Sequence, residues 1–127
     1  MAEDNPEDAL LLEESFRAEN LHVVIECVSD GEQLLNRLRQ PGFALTHYGL
    51  IVLDAHLPRR SAEEVLATLH AGQGALHVPV VILSSMISDS QRDQFLQLGV
   101  AAVITKPLDL DEYIALARTL YAIASSD

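Results

Sequence analysis

Two kinds of apolar spacing alternate along the chain and predict its elements. Leu50-Ile51-Val52-Leu53 is an unbroken aliphatic run that stops at Asp54. A run with no polar interruption reads as a strand covered on both faces, the pattern of parallel sheets. Val78–Leu83 has the same character and ends in Ser84-Ser85, while the shorter Ala101–Thr105 ends at Lys106-Pro107. Leu21–Val28 is apolar and β-branched, a further strand candidate. Elsewhere the apolar residues recur every three or four positions, which marks helices with one buried face. These run from Glu7 to near Asn20 (Leu10, Leu11, Leu12, Phe16), after Ser29-Asp30-Gly31-Glu32 (Leu34, Leu35, Leu38), over Ala62–Ala71 (Val65, Leu66, Leu69), from Asp89 to Leu98, and over Leu110–Ala124 (Tyr113, Ile114, Leu116, Ala117, Leu120). Asn5-Pro6 starts the first; Gln40-Pro41-Gly42, Gly72-Gln73-Gly74 and Gly99 are stops.

Strands alternating with helices argue for βαβ units and a parallel sheet with helices on both faces, an α/β fold. A chain of 127 residues suits one domain with a real core. No repeat, low-complexity segment or linker divides it, so residues 1–127 are expected to be a single domain without an output module.

Charge narrows the function classes. The net charge is −11, from 19 acidic and 8 basic residues, which disfavours direct binding to nucleic-acid phosphates or to anionic membranes. No apolar run approaches the roughly 20 residues that span a bilayer, and no signal-peptide pattern opens the chain. Cys27 is the single cysteine and cannot form an internal disulfide, which suits a cytoplasmic location. Its apolar surroundings predict a small core or near-core residue.

In an open parallel sheet, ligands bind outside the carboxyl ends of the strands. Asp54, Ser84 and Lys106 stand at three such ends, and Glu3 and Asp4 precede the first helix. Each has a plain structural reading: a turn residue or helix cap, a strand-end hydroxyl, a surface charge, an acidic terminus. Together they form a set suited to phosphoryl chemistry. Carboxylates and a backbone carbonyl suit Mg²⁺, a lysine supplies a compact positive charge, and a hydroxyl can hydrogen-bond a phosphoryl oxygen.

Glu3-Asp4-Asn5, Leu50–Pro58, Val80–Ser85 and Ile104-Thr105-Lys106-Pro107 together resemble the receiver domain of two-component response regulators. The opening Glu-Asp-Asn-Pro-Glu-Asp and the segment between Arg39 and Leu50 resemble the stand-alone receivers associated with bacteriophytochromes. The resemblance implies a flavodoxin-like, doubly wound sheet of strand order 2-1-3-4-5. It implies that Asp54 takes a phosphoryl group from a sensor histidine kinase, without the chain being an enzyme beyond its own phosphorylation and dephosphorylation. Glu3, Asp4, Asp54 and the backbone carbonyl of His56 would hold Mg²⁺. Ser84 would be the switch hydroxyl, Lys106 would pair with the phosphoryl group, and the Lys106-Pro107 bond would be cis. The surface of Ser88–Leu98, Ala102–Thr105 and Leu110–Ala124 would signal to a downstream target or phosphotransfer protein. Tyr113, Leu116, Leu120 and Tyr121 would leave an apolar face on the terminal helix for a homodimer.

The sequence departs from that pattern in three places. Val103 stands where an aromatic switch residue is usual, Arg60-Ser61-Ala62 replaces the common Met-Asp-Gly, and only Met1-Ala2 precede the acidic pair. The first strand is therefore expected to be a stub, and about four to six apolar residues are expected upstream in the native polypeptide. A pseudo-receiver, an interaction module that is not phosphorylated, is the alternative. A phosphoaspartyl hydrolase ranks behind both, because His56 occupies the position of its second acid.

Overall fold

The computed structural model describes residues 1–3, 5–21, 23, 25–38, 49–59, 61–71 and 78–125. In chain order the elements are α1 (Pro6–Ala18), α2 (Gly31–Leu38), β1 (Ile51–Asp54), α3 (Ala62–Ala71), β2 (Val80–Ser84), α4 (Asp89–Gln97), β3 (Ala102–Thr105) and α5 (Leu110–Ser125). The strands pair in parallel in the order β1-β2-β3, with Asp54 opposite Leu83 and Ser84 opposite Thr105. Ala2 extends this sheet by bridging Leu53 on one side and Val28 on the other, both in parallel. Reading across from Val28 through Ala2 to β3 agrees with the expected order as far as the described residues show it.

The unbroken apolar runs are explained by cover on both faces. Side chains alternate across a strand, so one run feeds two cores. Ile51, Leu53, Val80, Ile82 and Val103 face one way and pack with Leu34 and Leu35 of α2, Val65 and Leu66 of α3 and Phe95 of α4. Val52, Val81 and Leu83 face the other way, toward Leu12 and Phe16 of α1 and Tyr113, Leu116, Ala117 and Leu120 of α5.

Each of the described helices opens on a side-chain oxygen that accepts an otherwise unpaired amide of its first turn. Asn5 accepts from Glu7, Asp30 from Gln33, Ser61 from Glu64, Ser88 from Gln91 and Asp109 from Glu112. These caps fix where each helix leaves the strand-end edge of the sheet.

Several expectations are corrected. Of the strand expected over Leu21–Val28, the described residues supply only the Val28 bridge; His22 and Val24 lie outside them. The pairing reaches only as far as its partner: Met1 donates to Glu26 and accepts from Val28, and Glu3 donates to Val28. Cys27 is exposed rather than in the core, while Val28 and Ile25 near it pack against the two cores. Leu10 is also exposed: Leu12, Ser15 and Phe16 form the inner stripe of α1, and Leu10 lies nearly opposite. Tyr113, Leu116 and Leu120 are buried within this chain's own core, so only Tyr121 of the face expected to pair copies is exposed. No peptide bond among the described residues is cis, so the Lys106-Pro107 bond is trans, and nothing else in the structure explains that. The stops at Gln40-Pro41-Gly42 and Gly72-Gln73-Gly74, the residue Arg60 and the side chains of Leu38 and Leu69 lie outside the described residues. None of the described helices is long and apolar enough to cross a membrane.

Two leucines separate the sequence pattern from the observed packing. Leu66→Ala, at a fully buried site, should lower stability in urea by about 2–5 kcal/mol. Leu10→Ala should change it by no more than about 0.5 kcal/mol. A large loss at Leu10 would contradict the orientation of α1.

Candidate functional site

Parallel register gathers the carboxyl ends of the strands on one edge. Asp54 is the last residue of β1, Ser84 the last of β2, and Lys106 follows β3. The ladder runs one step past the strands: the Ala55 amide donates to Leu83 and the Lys106 amide to Ser84, each at 2.8 Å. Glu3 reaches the same edge because Ala2 is locked between its neighbours, donating to Val52 at 2.8 Å and accepting from Asp54 at 3.0 Å.

The Lys106 ammonium is the centre of the site. Its Nζ lies 2.7 Å from Glu3 Oε1, 2.8 Å from Asp54 Oδ2 and 3.1 Å from Asp8 Oδ2. Glu3 and Asp54 are buried, and Lys106 is only 12% exposed at its side chain. The other Asp54 oxygen, Oδ1, accepts the His56 amide at 2.8 Å. Asp8 Oδ1 accepts the hydroxyl of Tyr113 at 3.1 Å.

Of the residues expected here, Glu3, Asp54 and Lys106 are brought together directly. Ser84 lies on the same edge, fully buried, but its hydroxyl is engaged in its own loop: it donates to the Met86 carbonyl at 2.8 Å and accepts the Met86 amide at 3.2 Å. His56 Nε2 lies 3.2 Å from that same carbonyl, donating in the tautomer that carries the proton there, so the loops after β1 and β2 meet at Met86. Asp4 lies outside the described residues. Sequence reasoning missed Asp8 and the polar role of Tyr113. Asp8 was one acid among several in the first turn of α1, and Tyr113 counted only as apolar. A tyrosine on the buried face of a helix needs a partner for its hydroxyl, and that was the available signal.

Three carboxylates around one ammonium leave negative charge in excess. Burial pushes the Glu3 carboxyl up to about 7, reinforced by Asp54 beside it and opposed by Lys106 and the Asn5 amide. Burial acts on Asp54 in the same direction, but hydrogen bonds from Glu3, Lys106 and the His56 amide outweigh it and hold Asp54 below the usual carboxylate range. For Lys106, burial favours the neutral form, and Asp54, Glu3 and Asp8 more than offset it, so the ammonium stays charged. Tyr113 is pushed up to about 12 by burial and by Asp8, so its hydroxyl stays a donor.

The donor set suits a hard divalent cation in kind. Glu3 Oε1 is buried with no hydrogen bond of its own, close as Lys106 is, and the surplus carboxylate charge is of the sort that such a cation neutralises. The described residues place two buried carboxylates there, and no group of three His, Cys, Asp or Glu side chains among them is spaced to hold a metal unaided.

The profile of the response regulator receiver domain matches residues 1–118. The response regulator protein PmrA of Pseudomonas aeruginosa is 38% identical over 117 residues, which are 90% of this chain and 49% of that protein. The chain thus spans about half the length of that relative. Among solved structures, the phosphorylated cyanobacterial phytochrome response regulator RcpA superposes with a TM-score of 0.83 at 28% identity, covering 98% of this chain and 91% of that one. The receiver domain of the sensor histidine kinase PA1611 of Pseudomonas aeruginosa, with a magnesium ion coordinated in its active-site cleft, gives 0.74 at 26% identity, covering 98% and 94%.

The raised Glu3 carboxyl carries a signature in stability. Its folded value of about 7 exceeds its ordinary 4.5, so the folded state binds the proton more tightly. The stabilisation from this group is full below pH 4.5 and is lost as pH rises through 7. With divalent cations chelated, the urea midpoint should fall between about pH 5 and pH 8, and Glu3→Gln should flatten that fall. Equal slopes in the two proteins would contradict the buried placement of Glu3.

Proposed function

The chain belongs to the response regulator receiver domain family, and from that premise we propose that it accepts a phosphoryl group on Asp54 from a sensor histidine kinase. The observation that carries this reading is the Lys106 ammonium, 2.8 Å from a buried Asp54 carboxylate that is kept ionised.

An ionised carboxylate is the nucleophile that the reaction needs. One oxygen of Asp54 forms a bond to phosphorus as the phosphorus–nitrogen bond of a phosphohistidine breaks. The bonding pair leaves on the imidazole, which keeps or gains a proton, and the product is an acyl phosphate. The His56 amide and Lys106 each hold one oxygen of Asp54, so the carboxylate is oriented before the donor arrives. Lys106 then faces the charge that spreads over the phosphoryl oxygens, from a position that needs no rearrangement. Mg²⁺ held by Glu3 and Asp54, with Asp4 and the His56 carbonyl as the remaining expected ligands, would offset phosphoryl charge. The Ser84 hydroxyl turns from the Met86 backbone to a phosphoryl oxygen, which carries the event into the loop before α4.

Residues 1–127 act as one receiver unit in the cytoplasm, signalling to a protein target or phosphotransfer partner rather than to nucleic acid, in keeping with a net charge of −11. The signalling surface lies on α4, β3 and α5, where Leu96, Leu110 and Tyr121 are exposed, with Leu108 exposed in the loop before α5. Val103 is buried between the sheet and α4, and its carbonyl accepts from Arg92 at 2.9 Å, so no aromatic ring couples β3 to the site.

Incubation with acetyl phosphate and Mg²⁺ should add the mass of one phosphoryl group, and Asp54→Asn should add none. Full labelling of that variant would refute Asp54 as the acceptor. No labelling of the wild type, by acetyl phosphate or by a phosphorylated kinase domain, would favour the pseudo-receiver.

A further inference from the structure

Lysine presents a point charge on a flexible four-carbon stem, and its direction has to be imposed from outside. Here three carboxylates surround the Lys106 ammonium: Asp54 and Asp8 accept hydrogen bonds from it, and Glu3 lies at ion-pair distance. Two of them, Glu3 and Asp54, lie on the sheet edge; the third, Asp8, comes from the first turn of α1. Asp8 is itself held, because its second oxygen accepts the hydroxyl of Tyr113 from α5. Each oxygen of Asp8 therefore serves a different element: Oδ2 the loop after β3, Oδ1 the buried face of α5. Tyr113 is fixed in turn by the core of Leu12, Phe16, Leu116 and Leu120 around it.

We infer that Asp8 is a positioning residue for Lys106, and that Tyr113 acts through Asp8 to tie α5 to the phosphoacceptor edge. With Asp8 in place, the ammonium that rests on the Glu3–Asp54 pair is also held from a third side, toward α1. It is then already where an incoming phosphoryl oxygen develops charge. The chain of contacts Asp54–Lys106–Asp8–Tyr113 also links the site to α5 without an aromatic residue at position 103. When phosphoryl oxygens compete for Lys106, Asp8 holds it by the longest of the three contacts and is the first to lose it.

The inference rests on Asp54 as the acceptor for its kinetic arm only. Asp8→Asn removes a negative charge near the arriving phosphodonor, which alone would speed the reaction. Loss of positioning would slow it. We expect slowing, by about tenfold with acetyl phosphate as donor, the size of effect that one lost hydrogen bond to a charged group produces. Tyr113→Phe leaves every charge in place and should slow the reaction in the same direction by a smaller factor. The double variant should be no slower than Asp8→Asn alone, since Tyr113 acts through Asp8. The second readout is the Lys106 ammonium signal in ¹⁵N-lysine NMR, assigned with Lys106→Arg. It should shift or broaden in both single variants, while thermal unfolding shows that each is folded. An unchanged or faster rate in Asp8→Asn, or an ammonium signal that matches wild type, overturns the inference. Additive losses in the double variant overturn the role of Tyr113. If the wild type takes no phosphoryl group, the reading of Asp54 fails, and the ammonium signal alone decides the placement of Asp8.

Discussion

A single ammonium among three carboxylates sets the terms for this edge of the molecule. Lys106 is near-buried, and a buried charge is tolerable only when it is paired and hydrogen-bonded. The pairing reaches across the fold: Glu3 from the front of the chain, Asp8 from α1, Asp54 from the sheet centre. Elements separated by a hundred residues are thereby held to one point. The converse also holds. One positive charge does not balance three negative ones; burial, with Asp54 beside it, pushes the Glu3 carboxyl to about 7, while Asp54 is held below the usual carboxylate range.

That arrangement depends on the sheet being buried on both faces. If β1 had a solvent face, water would reach Asp54 and weaken the contacts that order it. Val52 and Leu53 lie on opposite faces and are both covered, by α5 and α1 on one side and by α2 and α3 on the other. Asp54 therefore emerges from a dry strand into a polar edge within one residue.

Much of this was legible in the sequence because the signals were local. An apolar run of strand length followed by a polar residue states both the element and its functional end, and β1, β2 and β3 each fell within two residues of expectation. The helices were legible from their spacing and caps. What failed depended on which of two faces a residue takes. Leu10 fits an apolar stripe as counted along the chain, yet α1 turns Leu12, Ser15 and Phe16 inward. Cys27 sits among apolar neighbours, yet it is exposed while Ile25 and Val28 pack inward. Asp8 and Tyr113 were invisible as a pair because their contact spans 105 positions. No local pattern encodes a hydrogen bond between the first turn of one helix and the buried face of another.

Ala2 and its neighbours bring Glu3 to the site. Glu3 lies at the edge beside Lys106 and Asp54. Here the anchoring falls to Ala2 and its immediate neighbours. Ala2 donates to Val52 and accepts from Asp54, while Met1 and Glu3 pair with Val28 on the other side. A residue bonded to both neighbours in the middle of a sheet has its backbone direction fixed by them, and Ala2 is fully buried where it does so. Each such bond contributes only about 1 kcal/mol net. Their value to the site is geometric: they fix the backbone from which the Glu3 side chain reaches Lys106. Asn5 then turns the chain at once, its side chain capping α1 while its amide donates to Glu3 Oε2 at 3.2 Å. The same short turn that orients Glu3 therefore delivers Asp8 to the far side of the ammonium. Three residues of pairing and one helix cap place two of the three carboxylates on which Lys106 depends.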